Sequence, residues 1–498
     1  MDRIKKTFRY LAILNVRRFW IGFIIGYLYF SYVFFWLWGL YPLDSFGVPD
    51  RFPSFLLILL IFSVSAAGMA FFWGLFSMFA SRILQSEHTP QLVPAEIAGS
   101  FVLVEYLRSF FFGILWLGNG SFIGPHWTIG NPAYLLKDFG YILKTSSLWG
   151  IYGIDFLLLY LVGVILLFLK RKESKKTLVL LWVPILFLSV HVFLFGRDNR
   201  YPEEGTLSVA LIQTQNSTKF SYTPEENLNN LQQRLSLLKQ ASESIESDKG
   251  LEDGIVILPE GSHFLNSLAI LLSESSVKNY FDKLSKKELF IIDQILSADG
   301  GGDLRSKVVI INSKTGLTGT YDKRLLTPGG EFTPYILKIP LILSGYGKFL
   351  PPDLYPGSAR GIAEFSNQKV KIVVCSEILS PSIVSGDNGN FIVALSNFGL
   401  FHGNRFLENQ MLAISKFRAA ENRKYIVISS NSGQSYIINP AGKVEKKTLG
   451  VGYELLTGSI VPNRDRTWYN YVGDWPILSL SLIFFGLALR KIRNDTKS

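Results

Sequence analysis

KVKIVVCSE, residues 369–377, is the stretch on which the fold turns. Val370 and Ile372–Val374 are β-branched throughout, which favours an extended strand. A near-continuous run of this kind suits a strand covered on both faces. The strand stops on Cys375-Ser376-Glu377, where the apolar run gives way to polar chemistry. Runs of the same character recur as TLSVALIQ (206–213), GIVILP (254–259), KVVIINS (307–313), FIVALSN (391–397) and YIVISSN (425–431). Helical patterns separate several of them, notably 224–248 and 406–422. Strands interleaved with helices predict a layered α/β domain over about 205–465.

Two further residues end strands as Cys375 does. Glu260 directly follows GIVILP, and Lys323 lies in TYDKRLLTPGGEFTP (320–334), a turn-rich segment after the hairpin at 307–320. Strand ends held by a rigid sheet are where α/β enzymes place their chemistry. Taken singly, each residue has an ordinary reading. A lone cysteine is a small buried hydrophobe, a glutamate after a strand caps a helix, and a lysine in a turn is solvated. Together they supply a nucleophile, a carboxylate to take its proton, and an ammonium to lower the thiol pKa and stabilise an oxyanion. Glu331, eight residues beyond Lys323, is placed to orient that lysine. No histidine stands at a comparable strand end, which disfavours a Cys–His pair.

Composition sets the surroundings. The chain has 498 residues, 48% apolar, 14% aromatic and 18% charged. Soluble domains carry about a quarter charged residues, so a wholly soluble enzyme is disfavoured. The 39 Phe, 22 Tyr and 10 Trp exclude a disordered chain. One cysteine rules out a disulfide framework, a cysteine-rich zinc site and a Cys-Cys redox motif. The five histidines are scattered, so neither a metal nor a cofactor is expected.

The formal charge of +11 is concentrated at residues 1–18, at KRKESKK (170–176) and in the tail 490–498. A nucleic-acid groove needs basic residues across a folded surface. Here each cluster abuts a long apolar run, the positive-inside pattern of membrane proteins, and no nucleic-acid partner is expected. Six runs are long enough to span a membrane, at about 19–40, 54–80, 93–118, 148–169, 177–196 and 474–490, the last being the shortest. With the basic N-terminus inside, five crossings leave the chain outside at residue 197, and the sixth returns the basic tail inside. Glu96, Glu105, Arg108 and Asp155 lie within these runs, where charge is costly. Glu105 and Arg108, three apart, can pair on one helix face or meet a lipid headgroup.

P-E-G-S at 259–262, Y-x-K-x-x-L-x-P-x-G-E-x-x-P at 321–334 and V-C-S-E at 374–377 together resemble the nitrilase superfamily. Joined to an N-terminal helical bundle and a final span, the chain is similar to the membrane-embedded branch of that superfamily, the apolipoprotein N-acyltransferases. E-Y-L-R at 105–108, W-G-I-Y-G at 149–153, R-A-A-E-N-R at 418–423, N-S-G at 431–433 and G-D-W-P at 473–476 extend the likeness over most of the chain. The resemblance implies an α-β-β-α sandwich carrying a Glu–Lys–Cys triad. Cys375 corresponds to the nucleophile, Glu260 to the general base, Lys323 to the oxyanion-stabilising lysine and Glu331 to the second glutamate. Ser376, Glu377, Asn397 and Phe401 correspond to substrate-binding positions.

It also implies an activity. An acyl chain passes from a phospholipid, through a thioester on the cysteine, to the N-terminal amine of an S-diacylglyceryl cysteine in a lipoprotein. Both substrates stay in the bilayer, so membrane lipid is a partner. The implied organisation is a transmembrane bundle over 1–196, an extracytoplasmic catalytic domain over 197–465, and a final span with a basic tail over 466–498 of the inner membrane.

The chain departs from the family pattern at a few positions. An aromatic residue after the nucleophile is replaced by Ser376, an Asp and a Trp after S-N by Phe398 and Leu400, and a Trp near the domain start by Phe220. A first hydrophobic hairpin is also missing. The apolar, Pro/Gly-interrupted segment 332–356 is expected to form a lid touching lipid. Two alternatives use the same residues differently. One is a membrane-tethered amidase or nitrilase hydrolysing a carbon–nitrogen bond, and the other is a non-catalytic membrane scaffold.

Overall fold

A computed structural model describes residues 16–495 except 47, 49, 86–89, 122, 172–178, 185, 187, 188, 190–204, 218–221, 249–252, 299, 301, 344, 346, 348, 349, 351, 366, 387 and 388. Most of the expected span 177–196, Phe220, most of the first two basic clusters and the last three residues of the tail lie outside the described residues. The first helices are α1 (Val16–Val33), α2 (Arg51–Gln85), α3 (Val93–Leu115) and α4 (Gly140–Arg171), and the chain ends on α12 (Trp475–Asp495). Among the described residues α2, α3, α4 and α12 are long and apolar enough to cross a membrane. The chain is a multi-pass membrane protein.

The expected first span, 19–40, is α-helical only to Val33, and Phe35–Leu40 tighten into a 3₁₀ turn. Phe34 is fully buried at the junction and stacks on Phe112 of α3 at 5.7 Å. The break turns Trp36 and Leu37 into the cavity that Cys375 also lines.

Charges inside the spans find partners. Arg108 Nε donates to Glu105 Oε2 at 2.8 Å and the second guanidinium nitrogen to Oε1 at 2.5 Å, with both side chains buried. The guanidinium also lies 5.1 Å from the centre of the Phe30 ring. The pair is therefore internal to the bundle and does not meet a headgroup. Lys491 of α12 pairs with Glu96 of α3, and Asp155 accepts from Asn131.

Beyond the bundle the chain folds as β1 (Leu207–Gln213), α5 (Pro224–Ser247), β2 (Asp253–Ile257), α6 (Phe264–Leu271), α7 (Glu274–Leu284), β3 (Glu288–Ala298), β4 (Leu304–Asn312), β5 (Gly316–Asp322) and α8 (Tyr335–Leu343). It continues as β6 (Ile362–Phe365), β7 (Gln368–Val374), α9 (Pro381–Val384), β8 (Phe391–Asn397), α10 (Arg405–Asn422), β9 (Ile426–Asn431), β10 (Tyr436–Ile438), β11 (Val444–Lys447), β12 (Glu454–Ile460) and α11 (Trp468–Val472).

Two six-stranded sheets result, ordered β12-β1-β2-β3-β4-β5 and β11-β10-β9-β8-β7-β6. In each, three neighbouring strands run parallel at the centre, β1-β2-β3 and β7-β8-β9. Side chains alternate between faces along a strand, and the burial follows that alternation. Ile255, Ile257, Phe290 and Ile292 meet Ile372, Val374, Val393 and Leu395 between the sheets. Val256, Leu289 and Ile291 face α5–α7 on one outer side. Val373, Ile392, Ala394 and Ile428 face α10 on the other.

This is the expected α-β-β-α sandwich beside a helical bundle, with one addition. The outer surface of α10 is not solvated, because Ile414 and Phe417 share a core with Tyr134, Ile151 and Ile154 of the bundle side. Arg418 of α10 is fully buried there, paired with Glu421 and donating to Tyr134 Oη at 2.6 Å.

Candidate active site

The parallel strands of the two sheets end at one rim. β7 delivers Cys375, which opens a 3₁₀ turn (Cys375–Leu379) with φ of +48°. Positive φ is uncommon for a residue with a Cβ and persists where the surroundings enforce it. Glu377 does the enforcing. Its Oε2 accepts from Val374 N at 2.8 Å, while Oε1 accepts from Arg324 N at 2.7 Å and Tyr321 Oη at 2.5 Å. One buried carboxylate thus pins the nucleophile turn to the loop that carries Lys323.

Lys323 is 1% exposed and lies between two carboxylates, 2.9 Å from Glu260 Oε1 and 2.8 Å from Glu331 Oε2. Glu331 Oε2 also accepts from Thr327 N at 2.8 Å, which fixes it in its own turn. Glu260 in turn neighbours the Cys375 thiol and acts on its proton. The four groups therefore form one connected cluster, with Cys375 half-buried at its open end.

Burial works against every charge in the cluster, and the partners decide the outcome. Burial pushes the Cys375 thiol up, and the neighbouring Glu260 carboxylate adds to it against the pull of Lys323. Burial also raises Glu260, partly offset by Lys323 and reinforced by Glu331. Burial alone would lower Lys323, but Glu260 and Glu331 hold it well above the ordinary lysine value. Two acids therefore flank one lysine beside a thiol whose proton is held by burial and by the neighbouring Glu260. A raised proton affinity at Glu260 is the property that a general base needs.

Cys375 opens into an apolar cavity of about 210 Å³. Its walls come from both halves of the protein: Phe34, Trp36 and Leu37, Ile61 of α2, Phe112 of α3 and Trp127 on one side, Thr333, Leu337, Leu341 and Phe398 on the other. α8 closes one side with Leu337 and Leu341 while Ile339, Ile342 and Leu343 are 60%, 56% and 82% exposed. This nine-residue helix has no buried residue and is tethered at its N-terminal half. Asp353 accepts from Thr333 N at 2.8 Å and pairs with Lys338 at 3.0 Å, and Tyr335 N donates to Leu117 O at 2.8 Å.

Of the residues expected to bind substrate, Ser376, Asn397 and Phe401 line the cavity and Glu377 does not. Glu377 is wholly buried because both oxygens are occupied by the backbone and Tyr321, so its place is structural support behind the nucleophile. Ser376 also donates to Leu325 O. Asn397 Oδ1 accepts from Gly399 N at 2.9 Å and Asn431 Nδ2 at 2.8 Å, and Phe401 packs edge-on to Trp36 at 5.1 Å. Phe398 and Leu400, both departures from the family pattern, line the cavity as well.

Sequence reasoning gave no role to Tyr321, Asp353 or Gln294. Tyr321 sat inside a motif already in view, whereas Gln294 belongs to a strand that the reading did not identify.

The carbon-nitrogen hydrolase family matches residues 208–469. An apolipoprotein N-acyltransferase of Coxiella burnetii is 28% identical over 494 residues, covering 94% of this chain and 90% of the relative. One of Haemophilus ducreyi is 24% identical over 473 residues, covering 91% and 85%. Among solved structures, a Saccharomyces cerevisiae member of branch 10 of the nitrilase superfamily aligns over 54% of this chain and 94% of its own, at 17% identity and a TM-score of 0.39. The chain belongs to the carbon-nitrogen hydrolase family, in the branch whose relatives carry the name apolipoprotein N-acyltransferase.

Proposed function

We propose that the protein transfers an acyl chain from a phospholipid, through a Cys375 thioester, to the N-terminal amine of an S-diacylglyceryl cysteine in a lipoprotein. The observation that carries this reading is the cavity: Cys375 opens into an apolar space whose far wall is made by the membrane helices. The relatives' names support it.

In the first half-reaction the Cys375 sulfur attacks the ester carbonyl while Glu260 takes the thiol proton. The Lys323 ammonium hydrogen-bonds the oxyanion that develops, and Glu331 keeps that lysine in place. Collapse breaks the ester carbon–oxygen bond. The departing lysophospholipid oxygen takes the proton from Glu260, leaving the thioester. In the second, the lipoprotein amine attacks the thioester carbon and gives its proton to Glu260. The carbon–sulfur bond breaks, an amide forms and the thiol is restored. One cavity serves both bulky substrates in turn.

This reading places a bundle over 1–196 and a final span over 466–498 in the inner membrane, with residues 197–465 on its outer side. The exposed apolar row of α8 then rests in lipid, and Leu337 and Leu341 close the acyl path. The main cavity that Cys375 meets is apolar, whereas a small-amide hydrolase needs a polar, open pocket.

The test is incubation of the purified protein with labelled phospholipid. A hydroxylamine-sensitive acyl adduct on Cys375 is expected, and its absence would overturn the reading. Leu341→Asp should block adduct formation from phospholipid while sparing reaction with a small soluble amide or ester. Equal loss on both would remove the lipid path from the argument.

A further inference from the structure

We propose that Gln294 is a positioning residue for this chemistry: its side-chain amide ties the turn that carries Glu260 to the strand that holds Lys323, and so sets base and lysine at their working separation. The proposal rests on Glu260 and Lys323 acting as described above.

Gln294 lies on β3 and is 3% exposed. Alternation along β3 puts Phe290 and Ile292 between the sheets, and Gln294 continues that row toward the cluster. Its Oε1 accepts from Gly261 N, the residue after the base, at 2.7 Å. Its Nε2 donates to Ser306 Oγ and to Ile295 O, each at 3.1 Å. Ser306 in turn accepts Lys323 N on its carbonyl at 2.9 Å. An unbroken path of three hydrogen bonds therefore runs from the Glu260 turn to the Lys323 backbone.

The turn needs such a hold. Gly261 has φ of +76°, and a Cβ there would lie 2.8 Å from Asn397 Nδ2. The preceding residue on β3 holds the rest of the turn from the other face: Asp293 accepts from Ser262 Oγ, and from Leu265 N at 2.9 Å. His263 N donates to the Gln294 carbonyl at 3.1 Å. Only a primary amide satisfies the Gln294 position. Glutamate would face Ile295 O with an acceptor, and methionine would leave Gly261 N without its partner.

The experiment compares Gln294→Met, Ser306→Ala and the double variant in the full-length protein. The readouts are single-turnover acyl-enzyme formation from labelled phospholipid, Cys375 alkylation by iodoacetamide as a function of pH, and thermal unfolding. Gln294→Met should slow both reactions by about 10-fold or more and displace the pH profile of alkylation, with unfolding within a few degrees. The double variant should be no slower than Gln294→Met alone, because both changes cut the same path. An unchanged pH profile in Gln294→Met, or losses that multiply in the double variant, would refute the role. Should Gln294→Met fail to fold, Ser306→Ala decides: about 3-fold slower acylation supports the path, and wild-type rates overturn it. A wild-type protein that alkylates normally but accepts no acyl group from phospholipid would instead defeat the acyltransferase reading. Alkylation would then still judge Gln294.

Discussion

Two buried acid–base clusters invite comparison, Glu105–Arg108 inside the bundle and Glu260–Lys323–Glu331 at the rim of the sandwich. The first has one anion for one cation, bidentate contact, and no more than 1% exposure on either side chain. It is electrically closed, and the guanidinium fork leaves the carboxylate little capacity for anything else. The second has two carboxylates for one ammonium, 12% and 15% exposure on the acids, and a thiol as fourth member. A closed pair is a fastening. An open cluster with one acid more than it has bases, beside a thiol, is a place where a proton can move.

The sharpest way to break that contrast is to disarm the open cluster. Cys375→Ala should abolish the acyl-enzyme while the protein still unfolds near its wild-type temperature, and Glu260→Gln should slow acylation by about 10² or more. Normal lipoprotein N-acylation by Cys375→Ala would end the mechanism proposed.

The closed pair should show the opposite signature. Arg108→Met leaves Glu105 buried without its partner and should cost about 3–5 kcal/mol of stability in detergent-solubilised protein. The folded fraction should keep wild-type acylation per molecule. Loss of activity without loss of stability would reassign the pair to lipid contact.

Asp293, a buried acid with its own donors, tests how far burial alone reaches. Burial raises it from an ordinary value near 4 to about 6. A raised folded-state value means stability present at low pH and lost as pH rises through about 6, up to about 3 kcal/mol over that window. Asp293→Asn should flatten this slope between pH 4 and 6. A slope identical to wild type would show that Asp293 does not titrate there.

The smallest expected effect concerns the cavity wall. Ser376→Tyr with Leu400→Trp, which restores the family aromatics, should alter transfer to a lipopeptide by about 1–3 kcal/mol while acylation stays close to wild type. Equal change in both steps would mean that these positions serve the nucleophile.

The reactive end of the molecule was the more legible. Glu260 and Cys375 each end a strongly apolar strand, and Lys323 and Glu331 share one turn-rich segment, so each motif is local. What escaped was non-local. β3, the longest strand, reads ELFIIDQILSA, and its Asp293-Gln294 pair interrupts the apolar pattern for reasons visible only once the Glu260 turn is docked beside it. Glu377 was expected to touch substrate because the resemblance matched it to the family's glutamate two residues past the nucleophile. A 3₁₀ turn rotates it inward, onto donors more than fifty positions away in the chain. The cavity could not be read from either half, since it exists only where the Phe35–Leu40 turn and the Thr333–Leu341 segment face each other.

The packing of α10 bears on how the protein is made. A free-standing sandwich could turn that helix layer to water. Here Phe417 and Arg418 are sealed against Tyr134, which precedes α4 in the chain. Folding therefore depends on a distant part of the chain: α10 begins more than two hundred residues after α4 ends, and the surface it settles on is supplied by the bundle side. A fragment spanning only the two sheets and their helices would leave Ile414 and Phe417 without the residues that cover them.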